Sequence, residues 1–340
     1  MTQKQENSKE LKLSIPTPGK GPGDVPLVIG AHDTPGAIKG AVSFECNYDC
    51  KGSNIIIKYT ALAEVRWSTK SGNKTIHYRG RHLYDKKIVQ MTLQHTQEGK
   101  VSAGKYLCPF YFSIDAMYMP SSFVGTYAWM TYKVRATLVR KFPSVNLVRE
   151  QVVWVLNSAL PRPERPLIDT PTQMTRYKGV LMKTVPYICI IPSNVIYLGQ
   201  QVPITIKILP AESPVQVMSG VIKLKQYTTL NVRGGEKSNK KELLNVTLKD
   251  GWPQAEARNS WQRTIVVPIP GFPQVTPSIS SPMITKSHIL KLILNAKIGK
   301  NGHRSELRVE MPVTITGPRP AGEPYPSFDL HRYLACVDKI

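Results

Sequence analysis

The chain has 340 residues, with 45 Lys and Arg against 23 Asp and Glu, for a formal net charge of +22. Hydrophobic residues at 41% and aromatics at 8% exclude a disordered chain, and the length suits about two domains. The charge excess points to a polyanionic partner (phospholipid, nucleic acid or acidic peptide) without choosing among them.

Met1 to Glu10 is polar and lacks an apolar core, so it reads as a disordered start and not as a signal peptide. Leu11, Leu13 and Ile15 alternate with polar residues and predict a first strand, ended by Pro16 and Pro18. Gly19 to Gly23 reads as a flexible loop. Ala37 to Cys46 is a second alternating strand. Asn54 to Trp67 is the longest, with Ile55, Ile57, Tyr59, Ala61, Ala63, Val65 and Trp67 on one face. Lys58, Thr60, Glu64 and Arg66 share the other face, as one wall of a sandwich requires. Ser71 to Lys87 is polar and basic and reads as a loop before a strand at Ile88 to Leu93. Strands at Gly104 to Ser113, Gly125 to Arg140 and Val148 to Leu156 complete this first set.

From Leu160 to Tyr177 the periodicity stops. Pro161, Pro163, Pro166 and Pro171 each fix φ and remove a backbone donor, so neither helix nor inner strand runs through this segment. It reads as an inter-domain linker. A second set of strands follows: Tyr187 to Ile191, Val202 to Leu209, Val217 to Leu230, Leu243 to Leu248, Arg263 to Ile269, His288 to Ala296 and Glu306 to Thr316. Short, regularly spaced strands predict an all-β chain of two antiparallel, immunoglobulin-like β-sandwiches. The expected division is a sandwich over residues 11–160, a linker over 161–176, a sandwich over 177–317 and a tail over 318–340. In the tail, FDLHRYLACVDKI allows a short helix capped by Ser327 or Asp329.

Catalytic chemistry finds no footing. Gly99 to Lys105 matches the start of a phosphate-binding loop, but Tyr106 stands where a Ser or Thr would hold magnesium, so a hairpin turn is the simpler reading. The histidines lack metal-ligand spacing, there is no GxSxG elbow, and no cofactor is expected. Cys46, Cys50, Cys108, Cys189 and Cys336 include no CxxC pair and read as free thiols.

The basic residues are more informative. Alternation from Thr131 to Val139 puts Lys133 and Arg135 on one outer face, about 7 Å apart by the strand rise, with Arg140 and Lys141 at its end. Lys223 and Lys225 form a similar pair in the second set. These six are candidates for gripping acidic or phosphorylated peptides, against the default of a solvated strand face. Lys237, Lys240, Lys241, Lys291 and Lys297, together with Lys286, read as loop or outer-face charges suited to an anionic membrane surface. For any one of them a solvated surface is an equal reading. Nucleic acid is not expected, since RNP-type aromatics, zinc modules and basic recognition helices are missing.

The chain is identified as a member of the arrestin family, nearest to the α-arrestins, by a series of segments in order. GKYLCPFYFSIDAMYMPSSFVGTYAWMTYKVRATLVRK, from Gly104, resembles the arrestin run of P-F-x-F, then P-S-S-F, then Y-x-V-x-A-x-L. YKGVLMKTVPYICIIPSNVIYLGQQVPITIKILP, from Tyr177, resembles the opening of the C-terminal arrestin domain, and VIKLKQYTTL, SHILKLIL and ELRVEMPVTITGPRP resemble its later strands. The resemblance implies two curved sandwiches, no catalysis and a cytoplasmic adaptor recruited to plasma membrane or endosomes. It would select the cytosolic tails of transporters or receptors for endocytosis or sorting. Many α-arrestins display PPxY peptides to a HECT-type ubiquitin ligase; this chain has no Pro-Pro pair, so any ligase contact is expected to be indirect. An endosomal cargo-sorting scaffold without a ligase, and a basic nucleic-acid binder, are the alternative readings.

Overall fold

The computed structural model describes residues 11–16, 19–30, 36–46, 52–93, 101–115, 119–140, 145–158, 174–248, 252, 254–255, 259–299 and 301–318. The proposed disordered start, linker residues 161–173, Lys141, Cys50, Cys336 and the tail beyond Pro318 lie outside them.

Among the described residues the first sandwich has ten strands. They are β1 (Lys12–Ser14), β2 (Gly19–Lys20), β3 (Pro26–Gly30), β4 (Gly36–Cys46), β5 (Gly52–Ser71), β6 (Lys74–Thr92), β7 (Gly104–Ile114), β8 (Phe123–Val124), β9 (Ala128–Arg140) and β10 (Leu147–Asn157). One sheet runs β1-β4-β7; the other runs β2-β3-β10-β9-β5-β6, with β8 added beside β9. Strict alternation aims one face of each long strand inward. In β9, Met130, Tyr132, Val134 and Ala136 are all buried, while Arg135 between them is exposed. They pack with Ile38, Val42, Phe110 and Phe112 of the smaller sheet into one apolar core.

Among the described residues the second sandwich has eleven strands. They are β11 (Thr175–Leu181), β12 (Val185–Ile191), β13 (Val195–Tyr197), β14 (Gln201–Ile208), β15 (Val215–Val232), β16 (Gly235–Leu248), β17 (Gln254–Ala255), β18 (Trp261–Pro268), β19 (Ile279–Ser280), β20 (Ile284–Ile298) and β21 (His303–Thr316). One sheet runs β11-β12-β14-β18. The other runs β13-β21-β20-β15-β16, with β17 beside β15 and β19 beside β20. Ile204, Ile206, Leu224, Leu290, Leu292 and Met311 are central to its core.

Several sequence expectations change. Residues 71–87, read as a polar loop, belong to the long hairpin β5–β6. Apart from the turn at Gly72 and Asn73 and the bulged Tyr84, every residue there pairs, from Ser71↔Lys74 out to Asn54↔Thr92. Because β6 is an edge strand whose outer face meets water, it needs few apolar residues, and this hid it. The Gly19–Gly23 loop contains β2 and a 3₁₀ turn at Pro22–Asp24. Finally, β11 begins at Thr175, so the last linker residues, Thr175 and Arg176, are strand.

The two sandwiches meet along the far end of the β5–β6 hairpin. Leu230, Ile279 and Ile284 of the second join the apolar core of the first. Gly80 lies so close to Val232 that an added Cβ would sit 2.6 Å from its methyl group. A Cβ on Gly235 would meet the Tyr78 ring at 2.4 Å. Trp154 and Phe272 pack edge-to-face with centroids 5.2 Å apart, and the Gly317 amide donates to the Asn157 carbonyl at 2.9 Å.

Candidate functional site

The outer face of the larger first sheet is strongly basic. Register places Lys58 of β5 directly opposite Arg135 of β9, and Arg66 of β5 opposite Arg79 of β6. Thr60 of β5 lies between Lys133 on one side and Lys86 on the other. Two glutamates offset part of this charge. Glu150 takes Lys133 at 2.9 Å. Glu64 accepts from the Trp129 indole at 2.8 Å and lies 3.7 Å from Arg81. Arg66 stacks on Trp129, its guanidinium 4.8 Å from the ring centroid. Among the described residues no carboxylate forms an ion pair with Lys58, Lys86, Arg79 or Arg135; Glu150 stands directly opposite Arg135 on β10 but is taken by Lys133. Like charges directly opposite each other destabilise a strand pair. This face therefore carries charge at a cost to the fold.

The second sandwich repeats the geometry but cancels the charge. Lys223 of β15 and Lys291 of β20 also face each other in register. Each, however, has its own acid: Glu242 at 3.0 Å from Lys223, and Glu310 at 2.7 Å from Lys291. Hydrogen bonds from these lysines hold both carboxyls below their usual range. Lys225 is pulled down by partial burial and then by Lys240, Lys291 and Lys223.

The candidate residues are thus not one surface. Lys133 and Arg135 share the basic face, and Arg140 ends the same strand with its amide donating to Asn146. Lys223 and Lys225 lie in the compensated cluster of the other sandwich. Of the proposed membrane lysines, Lys237 sits over the Tyr127 ring at 4.2 Å, joining the two sandwiches. Lys240 lies over Tyr227 at 5.4 Å. Lys291 is bound to Glu310, and Lys297 is half-buried on β20. Lys58, Arg79, Arg81 and Lys86 complete the basic face. Lys58 was visible as an outer-face residue; the three from β6 were hidden by its reading as a loop.

Lys286 departs furthest from its outer-face reading. It is only 6% exposed, and its amine lies 3.3 Å from the centroid of Phe123 in the other sandwich. Nζ donates to Thr276 Oγ1 at 3.1 Å. Burial, and then Lys241, lower its pKa to about 7. Two residues on, His288 is held neutral, its pKa lowered to about 3 by burial and then by Lys286. Its Nδ1 is 3.0 Å from Ser278 Oγ.

Paired β-sandwiches of this topology, with facing open sheets and a shared apolar seam, define the class: a two-domain arrestin-type module. Residues 31–159 match the N-terminal domain of arrestin (or S-antigen), and residues 182–320 match the C-terminal domain. The chain belongs to the arrestin family. It is also similar to an arrestin domain-containing protein of Schizosaccharomyces pombe, 25% identical over 298 residues, which is 83% of this chain and 48% of that protein. The chain thus spans about half the length of that curated relative.

Proposed function

We propose that this chain is a non-catalytic adaptor. It binds acidic or phosphorylated cytosolic segments of transporters or receptors and promotes their endocytosis or sorting, with a ubiquitin ligase reached indirectly. Membership of the arrestin family supports the adaptor role. The single observation that carries the peptide-binding reading is the pairing of Lys58 with Arg135, and of Arg66 with Arg79, with no ion-paired acid for Lys58 or Arg79 and with the one acid opposite Arg135, Glu150, taken by Lys133. Arginine grips carboxylates and phosphates bidentately, and a row of such groups on a rigid sheet fits an extended acidic segment.

The test is binding of acidic and phosphorylated tail peptides at two salt concentrations, with thermal melting as the folding control. Lys58→Glu with Arg135→Glu should weaken capture several-fold to roughly tens-fold. The same charge change at exposed Lys105 and Lys178, away from this face, should do much less. Equal losses would mean that only net charge matters. Equal affinity for an unrelated single-stranded nucleic acid, lost in the same variant, would favour the nucleic-acid reading instead.

A further inference from the structure

A cavity of about 320 Å³ opens where the two sandwiches meet. One wall is the corner of the first sandwich from Phe123 to Ala128. The other is formed by β15, β16, β20 and the segment leading into β19. The cations lining it are Lys286 and Lys241, and no carboxylate lines it among the described residues. The rest of the lining is mixed: apolar side chains such as Phe123, Leu230 and Leu243, and hydroxyls and amides, among them Thr228, Asn239, Thr276 and Gln226. The volume holds a tetrahedral oxyanion with several waters, each of which takes about 30 Å³.

The side chains are arranged around the Lys286 amine. It rests on the Phe123 ring and donates to Thr276 Oγ1, which in turn donates to Gln226 Oε1 at 3.3 Å. An ammonium group has three protons, so one remains beyond the Thr276 contact and the ring. A buried amine without a carboxylate is costly, and an apolar residue of similar length would fill the space more cheaply. Exposed Lys241 stands on the same cavity and adds to that repulsion. An anion held by both amines offsets the two penalties.

We infer that this cavity binds a small phosphate-class oxyanion, held between Lys286 and Lys241 and tying the two sandwiches together. The site is separate from the basic sheet face, and its occupancy does not depend on the adaptor reading. Because residues of both sandwiches line it, binding makes their contact tighter.

The experiment uses the full chain with sulfate or inorganic phosphate as the probe. Thermal melting is compared with chloride at equal ionic strength, and titration calorimetry counts sites. The expected result is a higher melting temperature in sulfate and one saturable site. Lys286→Met should raise the melting temperature in chloride and abolish the saturable site, and Lys241→Gln should weaken it several-fold. Lys58→Glu with Arg135→Glu should keep it. A sulfate response that survives Lys286→Met, or titration showing only unsaturable adsorption, would overturn the proposal. Should Lys286→Met fail to fold, undiminished sulfate affinity in Lys241→Gln would overturn it equally.

Discussion

The Lys286 amine and the Phe123 ring meet across the seam between the sandwiches, 3.3 Å from nitrogen to ring centroid. A lysine here behaves as a core residue that carries a proton only reluctantly. Its folded pKa of about 7 lies below the ordinary 10.5, with burial the larger cause and Lys241 the second.

That depression sets a pH dependence. Below pH 7 both folded and unfolded chains hold the proton, and the full cost of the buried charge is present. Between 7 and 10.5 the unfolded chain keeps a proton that the folded chain has released, so stability rises with pH. Denaturation at pH 7 and 9 should show a gain on the order of 2 kcal/mol, nearly absent in Lys286→Met. His288 acts at the acid end: its pKa falls from 6.5 to about 3, so stability drops as pH falls through that window.

The like-charge pairs make a second expectation. Arg79→Glu places an acid opposite Arg66 and should stabilise the hairpin by about 0.2–1 kcal/mol. The same change should weaken acidic-peptide capture. Chemical denaturation and a binding titration on one variant measure both, and a loss of stability would show that Arg79 is already satisfied in the fold.

Close backbone approach at the seam gives a third. In Gly235→Ala the new methyl would sit 2.4 Å from the Tyr78 ring, which is itself stacked on Trp67 with centroids 5.0 Å apart. Overpacking there should cost about 1–3 kcal/mol. Gly271→Ala, with open space around it, is the control and should shift melting little.

The ligase expectation is tested on the chain alone. Having no Pro-Pro pair, it should bind WW domains no better than a proline-free control protein. A tight complex lost on Tyr325→Ala would show that the segment Glu323-Pro324-Tyr325-Pro326 suffices, against this expectation.

The sandwiches were legible because alternation is strict where a strand has one wet face. Ile55 to Trp67 and Tyr132 to Leu138 fall on the core side as their spacing requires, apart from a register shift at Ala61/Leu62. The first part of β6 was not legible, because only Tyr78 and Tyr84 of it pack on the core, between His, Gly and charged residues, too few to set an apolar period; its end, from Ile88, was read as strand. Lys286 shows a different failure. With His288 it shares the parity of Leu290, Leu292 and Leu294, and the alternation that makes those leucines core buries it too, against its outer-face reading. Which basic pairs lack an acid depends on register between strands distant in sequence, and no single strand's pattern contains it.

The shared apolar seam has a practical consequence. Leu230, Ile279 and Ile284 complete a core whose other members all precede residue 156. Cutting the gene at the linker would therefore not give two independent modules. Each half would expose a greasy scar and aggregate when expressed alone, whereas the two fragments produced together should find each other and reassemble. The chain is in this sense a natural candidate for a split-protein reporter, with reconstitution reading out the integrity of the seam.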